Sequence, residues 1–461
     1  MRYYLESLGC AKNQVDAEIM MGTMNHSGWV SVTAPEDADL IIVNSCAFID
    51  RAKLESINTV LELREEYPGK KILLAGCLSQ RYGADLANSL PEADAYFGNR
   101  DLGRIAEVAA GIMGVRRSPA RPATDKAAPS MGERPLLSIP GAAYVKIAEG
   151  CDNRCSFCAI PLIRGPMRSR PVEDITAECR RLLERGVREL CLIGQDLGVY
   201  GSGGPAGLPE LLRALARLEG HFWVRLLYIH PEHFPRPIMD LMREDPRFLP
   251  YFDLPFQHAS GPLLRAMNRR GEAADFLALI AEIRETLPDA VIRSTFITGF
   301  PGETRADFQK LLDFQDQARL DWVGVFDYSQ EEGTAAFSME GQVPGRIARE
   351  RKTRIENRQI PITGERMDRF IGRELEALVE EAVPAPVEHD KMGKEDLYLG
   401  RFFCHAPEVD GAVVIRRAGP GLLKPASRKM PDPGDMVRCK VFARAGFDLE
   451  AVIVPPEGAA S

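Results

Sequence analysis

The sequence predicts an α/β multidomain chain in three parts: an N-terminal parallel-sheet α/β domain, a central partial (βα)6 barrel of TIM-like layout, and a small C-terminal antiparallel β-barrel. Three observations predict it. Apolar runs alternate with helical spacing over residues 1–112 and again over 137–368. A Pro-, Ala- and Ser-rich stretch separates those spans. Beyond residue 369 the helical spacing vanishes, and short apolar runs are broken by turn pairs.

Bulk properties agree with this layout. A chain of 461 residues exceeds one ordinary core. With 45% hydrophobic and 27% charged residues it has a globular composition, and it offers no run near the roughly 18 apolar residues of a membrane span. Met1–Leu8 lacks the layout of a signal peptide, so a cytoplasmic protein with no membrane association is expected. Thiols stay reduced there, and the ten cysteines point to metal, catalysis or burial rather than disulfides. A net charge of −8 argues against a protein that binds nucleic acid chiefly by electrostatics.

In residues 1–112 the runs Arg2–Gly9, Leu40–Ser45 and Lys71–Gly76 read as strands leading into Cys10, Cys46 and Cys77. Gln14–His26 and Ala47–Glu66 carry apolar residues three and four apart and read as helices. Strands separated by helices form right-handed crossovers and a parallel sheet. Ligands of such sheets bind beyond the carboxyl ends of the strands, where all three cysteines fall. Residues 113–136 show no periodicity and read as an exposed, mobile linker whose basic residues are a solvated tether.

From 137 to about 335 the rhythm returns with strands near Ala143–Ala148, Glu189–Ile193, Trp223–Ile229, Tyr251–Pro255, Val291–Ile297 and Trp322–Tyr328. Val172–Arg185, Leu208–Leu218, Ala274–Leu287 and Arg305–Ala318 read as the helices between them. Gln195, Asp196, His230, Gln257, His258, Thr298 and Ser329 gather at the strand ends, the active face of such a barrel. A charged helix over Arg346–Asp368 follows. From 369 to 456, Leu375–Glu380, Leu397–Cys404, Ala412–Arg416, Met436–Ala443 and Leu449–Val454 read as strands of a small barrel of a type that often contacts macromolecules. Pro455–Ser461 is expected to fray.

The cysteines carry the chemistry. Cys151-Asp-Asn-Arg-Cys155-Ser-Phe-Cys158 places three thiols in one loop, enough for three irons of a 4Fe–4S cube with the fourth left open. Zinc is the alternative, but no second CxxC or HxxxH pair accompanies the loop. Cys10, Cys46 and Cys77, each readable alone as a buried thiol, form a second triad through their equivalent strand-end positions. Two triads, each one ligand short, imply two clusters with one open iron apiece. Cys179, Cys191, Cys404 and Cys439 lack ligand spacing and read as buried.

CxxxCx(aromatic)C, with Phe157 in the aromatic slot, resembles the signature of radical S-adenosylmethionine (SAM) enzymes. Ser7-Leu-Gly-Cys10-Ala-Lys-Asn13, Val43-Asn-Ser-Cys46 and Ala75-Gly-Cys77-Leu resemble the N-terminal domain of the methylthiotransferases within that superfamily. The order of parts is similar too, ending in the small barrel known as TRAM, so the resemblance spans nearly the whole chain. It implies a cluster domain at 1–112, a linker at 113–136, a radical-SAM core at 137–368 and a TRAM barrel at 369–456. It implies two 4Fe–4S clusters, one on Cys10, Cys46 and Cys77 that carries the sulfur to be transferred, the other on Cys151, Cys155 and Cys158 that binds SAM and cleaves it to a 5′-deoxyadenosyl radical. A first SAM would methylate the sulfur, and a one-electron donor such as flavodoxin or ferredoxin is implied. SAM contacts are implied for Phe157, for Gln195 and for the turn Thr298-Gly299-Phe-Pro-Gly302-Glu303. Each also has a plain structural reading, as filler, strand cap and common Gly-rich turn, and His230 and His258 divide the same way between ligand contact and structural histidine. No side chain is singled out as catalytic.

SLGCAKN at 7–13, IAEGCDNRCSFCAIP at 147–161 and LPFQHAS at 254–260 resemble the branch that methylthiolates the β-carbon of an aspartate in small-subunit ribosomal protein twelve. The tRNA-modifying branch carries Gln-Ser-Gly-Ser where this chain has Gln257-His258-Ala259-Ser260. Charge points the same way. Residues 371–455 hold 12 Lys+Arg against 14 Asp+Glu, a balance of −2 that suits a basic ribosomal protein better than a polyanion. Arg416, Arg417, Lys424, Arg428 and Lys429 form a local basic patch that leaves direct RNA contact open. The rival readings are a tRNA adenosine methylthiotransferase and, in another class, a non-enzymatic two-cluster electron-transfer or scaffold protein.

Overall fold

A computed structural model describes residues 1–114, 133–204, 206–383, 397–417 and 430–454. The first domain runs β1 (Arg2–Ser7), α1 (Ala11–His26), β2 (Val30–Ser31), β3 (Leu40–Ser45), α2 (Asp50–Glu66), β4 (Lys71–Gly76), α3 (Cys77–Ser89), β5 (Ala95–Phe97) and α4 (Ile105–Ile112). Its sheet has the order β2-β1-β3-β4-β5 and is parallel throughout. β3 and β4 are nearly unbroken apolar runs because both of their faces are covered by helices. Register decides what lies at the carboxyl ends. Ser7 pairs with Asn44 and Ser45 with Gly76, so the chain reaches Cys10, Cys46 and Cys77 along one edge. The second helix begins at Asp50, three residues later than its spacing predicts, because Ile49 is extended.

The second domain continues with β6 (Ala142–Lys146), β7 (Ala148–Glu149), α5 (Ile160–Arg164), β8 (Arg168–Ser169), α6 (Val172–Glu184), β9 (Glu189–Ile193), α7 (Leu208–Ala216), β10 (Trp223–Leu226), α8 (Pro237–Glu244), β11 (Phe248–Asp253), α9 (Gly261–Ala266), α10 (Ala273–Thr286), β12 (Val291–Thr298), α11 (Arg305–Ala318), β13 (Trp322–Asp327) and α12 (Gly345–Asp368). Six parallel strands stand in the order β13-β12-β11-β10-β9-β6, so β6 and β13 are free edges and the barrel is open. Its core mixes aliphatic and aromatic side chains, with Phe256, Phe276 and Phe314 packed against one another at ring centroids 4.6–6.1 Å apart. The pair β7–β8 brackets the three-cysteine loop and is antiparallel.

The third domain comprises β14 (Glu374–Val383), β15 (Leu397–Arg401), β16 (Val413–Arg416), β17 (Met436–Ala445) and β18 (Asp448–Ile453), closed in the order β14-β15-β16-β18-β17. Four ladders are antiparallel; the β16–β18 ladder is parallel, a closure that strand alternation alone does not reveal. Buried ions fasten this barrel to the second domain. Glu189 accepts from Arg225 at 2.6 Å and from Arg401 at 2.5 Å, and the Tyr251 hydroxyl donates to Asp410 at 2.5 Å.

The tether expected at 113–136 needs correction at its far end. Arg134 is 1% exposed and pairs with Glu18 of α1 at 2.8 Å and with Glu178 of α6, while also donating to the Tyr144 carbonyl at 2.6 Å. A charge that composition assigns to solvent is instead a clasp between the first two domains. Residues 115–132 lie outside the described residues, as do Lys424, Arg428, Lys429 and Pro455–Ser461. Among the described residues no helix is long and apolar enough to cross a membrane.

Candidate functional site

The first triad is built by three strand-to-helix junctions. Cys10 precedes α1, Cys46 follows β3, and Cys77 opens α3. Gly9 and Gly76 make the turns at φ of +98° and +91°, where a side chain is strained. A Cβ on Gly9 would also sit 2.9 Å from the Cys46 Cβ, so the Cys10 turn lies directly on Cys46. Asn13 ties the junctions together: its amide donates to the Leu8 carbonyl at 2.6 Å and the Ser45 carbonyl at 3.0 Å. Cys10 is exposed, whereas Cys46 and Cys77 are buried. Burial pushes both of those thiols upward, Cys77 to about 12.

The second triad lies in the loop between β7 and α5. Gly150 enters it at φ +81°, and a Cβ there would lie 2.1 Å from the Pro166 carbonyl oxygen. Backbone bonds define its course, Cys151 N–H to Gly165 at 3.1 Å, Ser156 N–H to Met267 at 3.0 Å and Ala336 N–H to Ser156 at 2.8 Å. Burial raises Cys151 to about 11 and Cys158 to about 12, and lifts Cys155 despite the opposing pull of Arg269.

Both donor sets fit an iron–sulfur group. Each is three soft thiols with no carboxylate among them. Each has one buried guanidinium beside a sulfur: Arg164 Nη2 lies 3.3 Å from Cys77 Sγ, and Arg269 Nη1 lies 4.0 Å from Cys155 Sγ. Those cations suit an anionic, thiolate-bound centre. Binding there must displace protons that the raised thiols otherwise keep at neutral pH. Among the described residues no three His, Cys, Asp or Glu side chains stand where they could hold a single metal ion. A cube differs from such a site in taking one thiolate per iron.

A polar seam joins the first domain to the second beside Cys77. Asp16 of α1 pairs with Lys146 at 2.5 Å and Arg164 at 2.7 Å. Glu149 pairs with the same two cations at 2.5 Å and 3.0 Å and accepts from Gln195 Nε2 at 3.3 Å. Burial would raise the Glu149 carboxyl, but Lys146 and Arg164 override it and hold the group near 2. Lys12, also in this seam, packs its ammonium 3.0 Å from the centroid of the Tyr228 ring, and burial lowers it to about 8. A second seam joins Arg81 and Lys53 of the first domain to Glu331 at 2.6 Å and 2.9 Å.

The remaining residues singled out by sequence fall into two groups. Phe157 is half-buried against the barrel core, and Gln195 keeps a buried Oε1 with no partner among the described residues. Thr298 is fully buried and donates its hydroxyl to the Ala348 carbonyl at 3.0 Å. The turn itself is held by Glu303, which accepts from Gly299 N–H and pairs with Arg351 at 2.9 Å. His258 is fully buried and takes Ser260 N–H on Nδ1 at 3.0 Å. His230 is pushed down to about 3 by burial and by Arg269, hence neutral. Asp196 accepts from Asn153 at 2.9 Å, His233 at 2.7 Å and the His230 N–H at 3.1 Å, joining the loop to the next strand end. Tyr228, Gln257 and Arg154 all adopt positive φ at this face, between 47° and 72°.

Sequence reasoning missed Arg164, Arg269, Glu149, Asp16 and Lys146. Nothing in their spacing marks them, because their partners lie on other elements.

Comparison with known proteins follows the same three-part division. Residues 2–98 match the uncharacterized protein family UPF0004, residues 145–314 the radical SAM superfamily, and residues 371–454 the TRAM domain. The ribosomal protein uS12 methylthiotransferase RimO of Treponema denticola is 45% identical over 97% of this chain and 99% of its own length. The protein of the same name from Moorella thermoacetica is 43% identical over 90% and 93%. Among solved structures, the radical SAM methyltransferase TsrM of Kitasatospora setae, with cobalamin and a [4Fe-4S] cluster bound, aligns with a TM-score of 0.50 at 15% identity, covering 71% of this chain and 74% of that one. That likeness is one of fold.

Proposed function

This chain belongs to the family of ribosomal protein uS12 methylthiotransferases, radical-SAM enzymes that use an iron–sulfur cluster and SAM, and from that premise we propose how its residues divide the work. The substrate is ribosomal protein uS12, methylthiolated at the β-carbon of an aspartate. Cys151, Cys155 and Cys158 hold one 4Fe–4S cluster, and Cys10, Cys46 and Cys77 hold a second. When bound, the first supplies an electron for SAM cleavage and so the hydrogen-abstracting radical, and the second supplies the sulfur. The observation that carries the reading is the pair of thiol triads, each beside its own buried guanidinium, on two domains joined by one buried ionic seam.

The chain's own groups then have definite tasks. Gln195, with Nε2 committed to Glu149 and Oε1 unpaired among the described residues, orients the polar end of SAM. Phe157 packs beside it. The Thr298–Glu303 turn contributes backbone, held in shape by Glu303 and Arg351. His230 stays neutral and donates no proton across the physiological range. The faintly acidic TRAM barrel steers a lysine- and arginine-rich substrate. Within that barrel Arg416 pairs with Glu450 at 3.1 Å, which offsets its charge for any RNA contact. Flavodoxin or ferredoxin delivers the electron.

Two measurements test this. In cells lacking the protein, mass spectrometry of uS12 is expected to lose the methylthio mark while tRNA nucleosides keep theirs; loss from tRNA alone would sink the substrate assignment. Anaerobically reconstituted protein is expected to release 5′-deoxyadenosine from SAM, and the Cys155→Ala variant is not.

A further inference from the structure

Arg164 belongs to the radical-SAM domain, yet one of its nitrogens ends on a cysteine of the other domain. The guanidinium divides its hydrogens cleanly. Nη1 serves the carboxylates Asp16 and Glu149, at 2.7 Å and 3.0 Å. Nη2 points the other way, to Cys77 Sγ at 3.3 Å and to Asn13 Oδ1 at 3.2 Å. Asn13 is the side chain whose amide fixes the Leu8 and Ser45 carbonyls beside Cys10 and Cys46. One fork therefore reaches a ligand sulfur directly and the other two ligand loops through one intermediary.

The folding role of this arginine is met by Nη1 alone, since two carboxylates already compensate its charge. Lys146 shares both of those carboxylates, so the four groups form a neutral square of two cations and two anions. What remains for the sulfur is a directed N–H donor in a buried site. Hydrogen bonds to cluster sulfurs stabilise the more negative, reduced state and raise the reduction potential. The Asn99 amide donates to the same sulfur at 3.5 Å, a longer and uncharged contact.

We propose that Arg164 is a positioning residue for the N-terminal cluster: its Nη2 hydrogen bond to the Cys77 sulfur sets that cluster's reduction potential, and does so only while the radical-SAM domain is docked. This rests on the assignment of Cys10, Cys46 and Cys77 as cluster ligands. Arg269 beside Cys155 is the counterpart in the other triad, so a substitution there serves as the control.

The test uses full-length protein carrying Cys151→Ala, Cys155→Ala and Cys158→Ala, so that one cluster alone titrates. After anaerobic reconstitution its midpoint potential is read by electron paramagnetic resonance at poised potentials. Absence of a cube signal in this parent would refute the ligand assignment itself, separately from the role of Arg164. With the cube present, Arg164→Gln is expected to weaken reduction about tenfold, a downward move of about 59 mV for a one-electron couple. Arg164→Lys keeps the charge without the fork and is expected to move it less, in the same direction. Asp16→Asn removes a compensating anion and is expected to move it upward, while Arg269→Gln leaves it unchanged. An unmoved potential in an Arg164 variant that retains the full cube signal overturns the proposal. So does loss of the cube in all of the Arg164 and Asp16 variants with native circular dichroism, because that outcome assigns the arginine to assembly alone.

Discussion

Replacing Glu189 by glutamine tests how the TRAM barrel is held on the catalytic domain. Glu189 is completely buried and is the ion-pair partner that Arg225 and Arg401 share. Arg401 also pairs with Glu380 and donates to the His405 carbonyl at 3.1 Å, so it keeps support when Glu189 is neutralised. Among the described residues Arg225 keeps the Phe403 carbonyl at 2.8 Å and the face of Tyr251, with its centre 4.7 Å from the ring. Removing one partner of a buried pair costs about 3–5 kcal/mol, and the surviving contacts of Arg401 place this case near 3. Titration gives a second route to the magnitude. Burial would raise the Glu189 carboxyl, but Arg401 and Arg225 override it and move it from 4.5 to about 2. At about 1.4 kcal/mol for each tenfold step, that is about 3–4 kcal/mol in favour of the ionised fold. The folded value lies below the unfolded one, so this contribution is complete above about pH 4.5 and is lost as pH falls toward 2. Between pH 5 and 8 it is flat. The assay is equilibrium urea unfolding of wild type and Glu189→Gln followed by tryptophan emission, since Trp322 donates to the Cys404 carbonyl across this interface at 2.8 Å. A deficit of about 3 kcal/mol, constant from pH 5 to 8, is expected. A deficit below about 1 kcal/mol, or one that titrates within that window, refutes the reasoning.

Cys46→Ala is expected to lower iron from about eight to about four per chain, measured after anaerobic reconstitution, while leaving 5′-deoxyadenosine formation in place. Gly150→Ala acts on the other triad: its Cβ would meet the Pro166 carbonyl at 2.1 Å in a backbone of positive φ. It is expected to abolish SAM cleavage and halve iron, and full iron with normal cleavage would show that the loop tolerates the displacement.

The candidate cysteines are legible in the sequence, whereas their surroundings are not. Cysteines at strand ends and the CxxxCxxC loop are local patterns, and parallel topology brings the strand-end three to one edge of the first sheet. The strands of the second domain likewise begin and end close to their apolar runs, because a buried parallel strand is a nearly continuous apolar stretch. Short helices were not legible: α5, α8 and α9 run only five to eight residues, too few for a period to show. The chief misreading was Arg134, taken for part of a solvated tether. Its partners Glu18 and Glu178 lie 116 and 44 residues away, and no local signal distinguishes a buried clasp from a solvated charge. Thr298 lies at a strand end as its apolar run predicts, and the partner of its hydroxyl, the Ala348 carbonyl of a helix fifty residues on, has no local signal.

The ionic character of the seam between the first two domains has a functional consequence. Buried ion pairs often contribute no more stability than well-packed apolar residues of similar volume, so adhesion alone does not call for Asp16, Lys146, Arg164 and Glu149 at this place. Apolar packing already contributes there, since Ile163 of α5 and Ala159 at its start sit in one cluster with Val43, Ala47 and Leu78. What a guanidinium adds is a planar fork with fixed directions toward its carboxylates. Transfer between two cofactor sites depends on placement at the scale of an ångström, where a single misplacement can cost about a hundredfold in rate. A seam that locks orientation therefore bears on the reaction more than on folding. Neutralising Asp16 breaks a buried pair and is expected to cost about 3 kcal/mol of stability, yet turnover measured well below the lowered thermal midpoint should fall further than the loss of folded protein accounts for; a fall no larger than unfolding explains would assign the seam to stability instead.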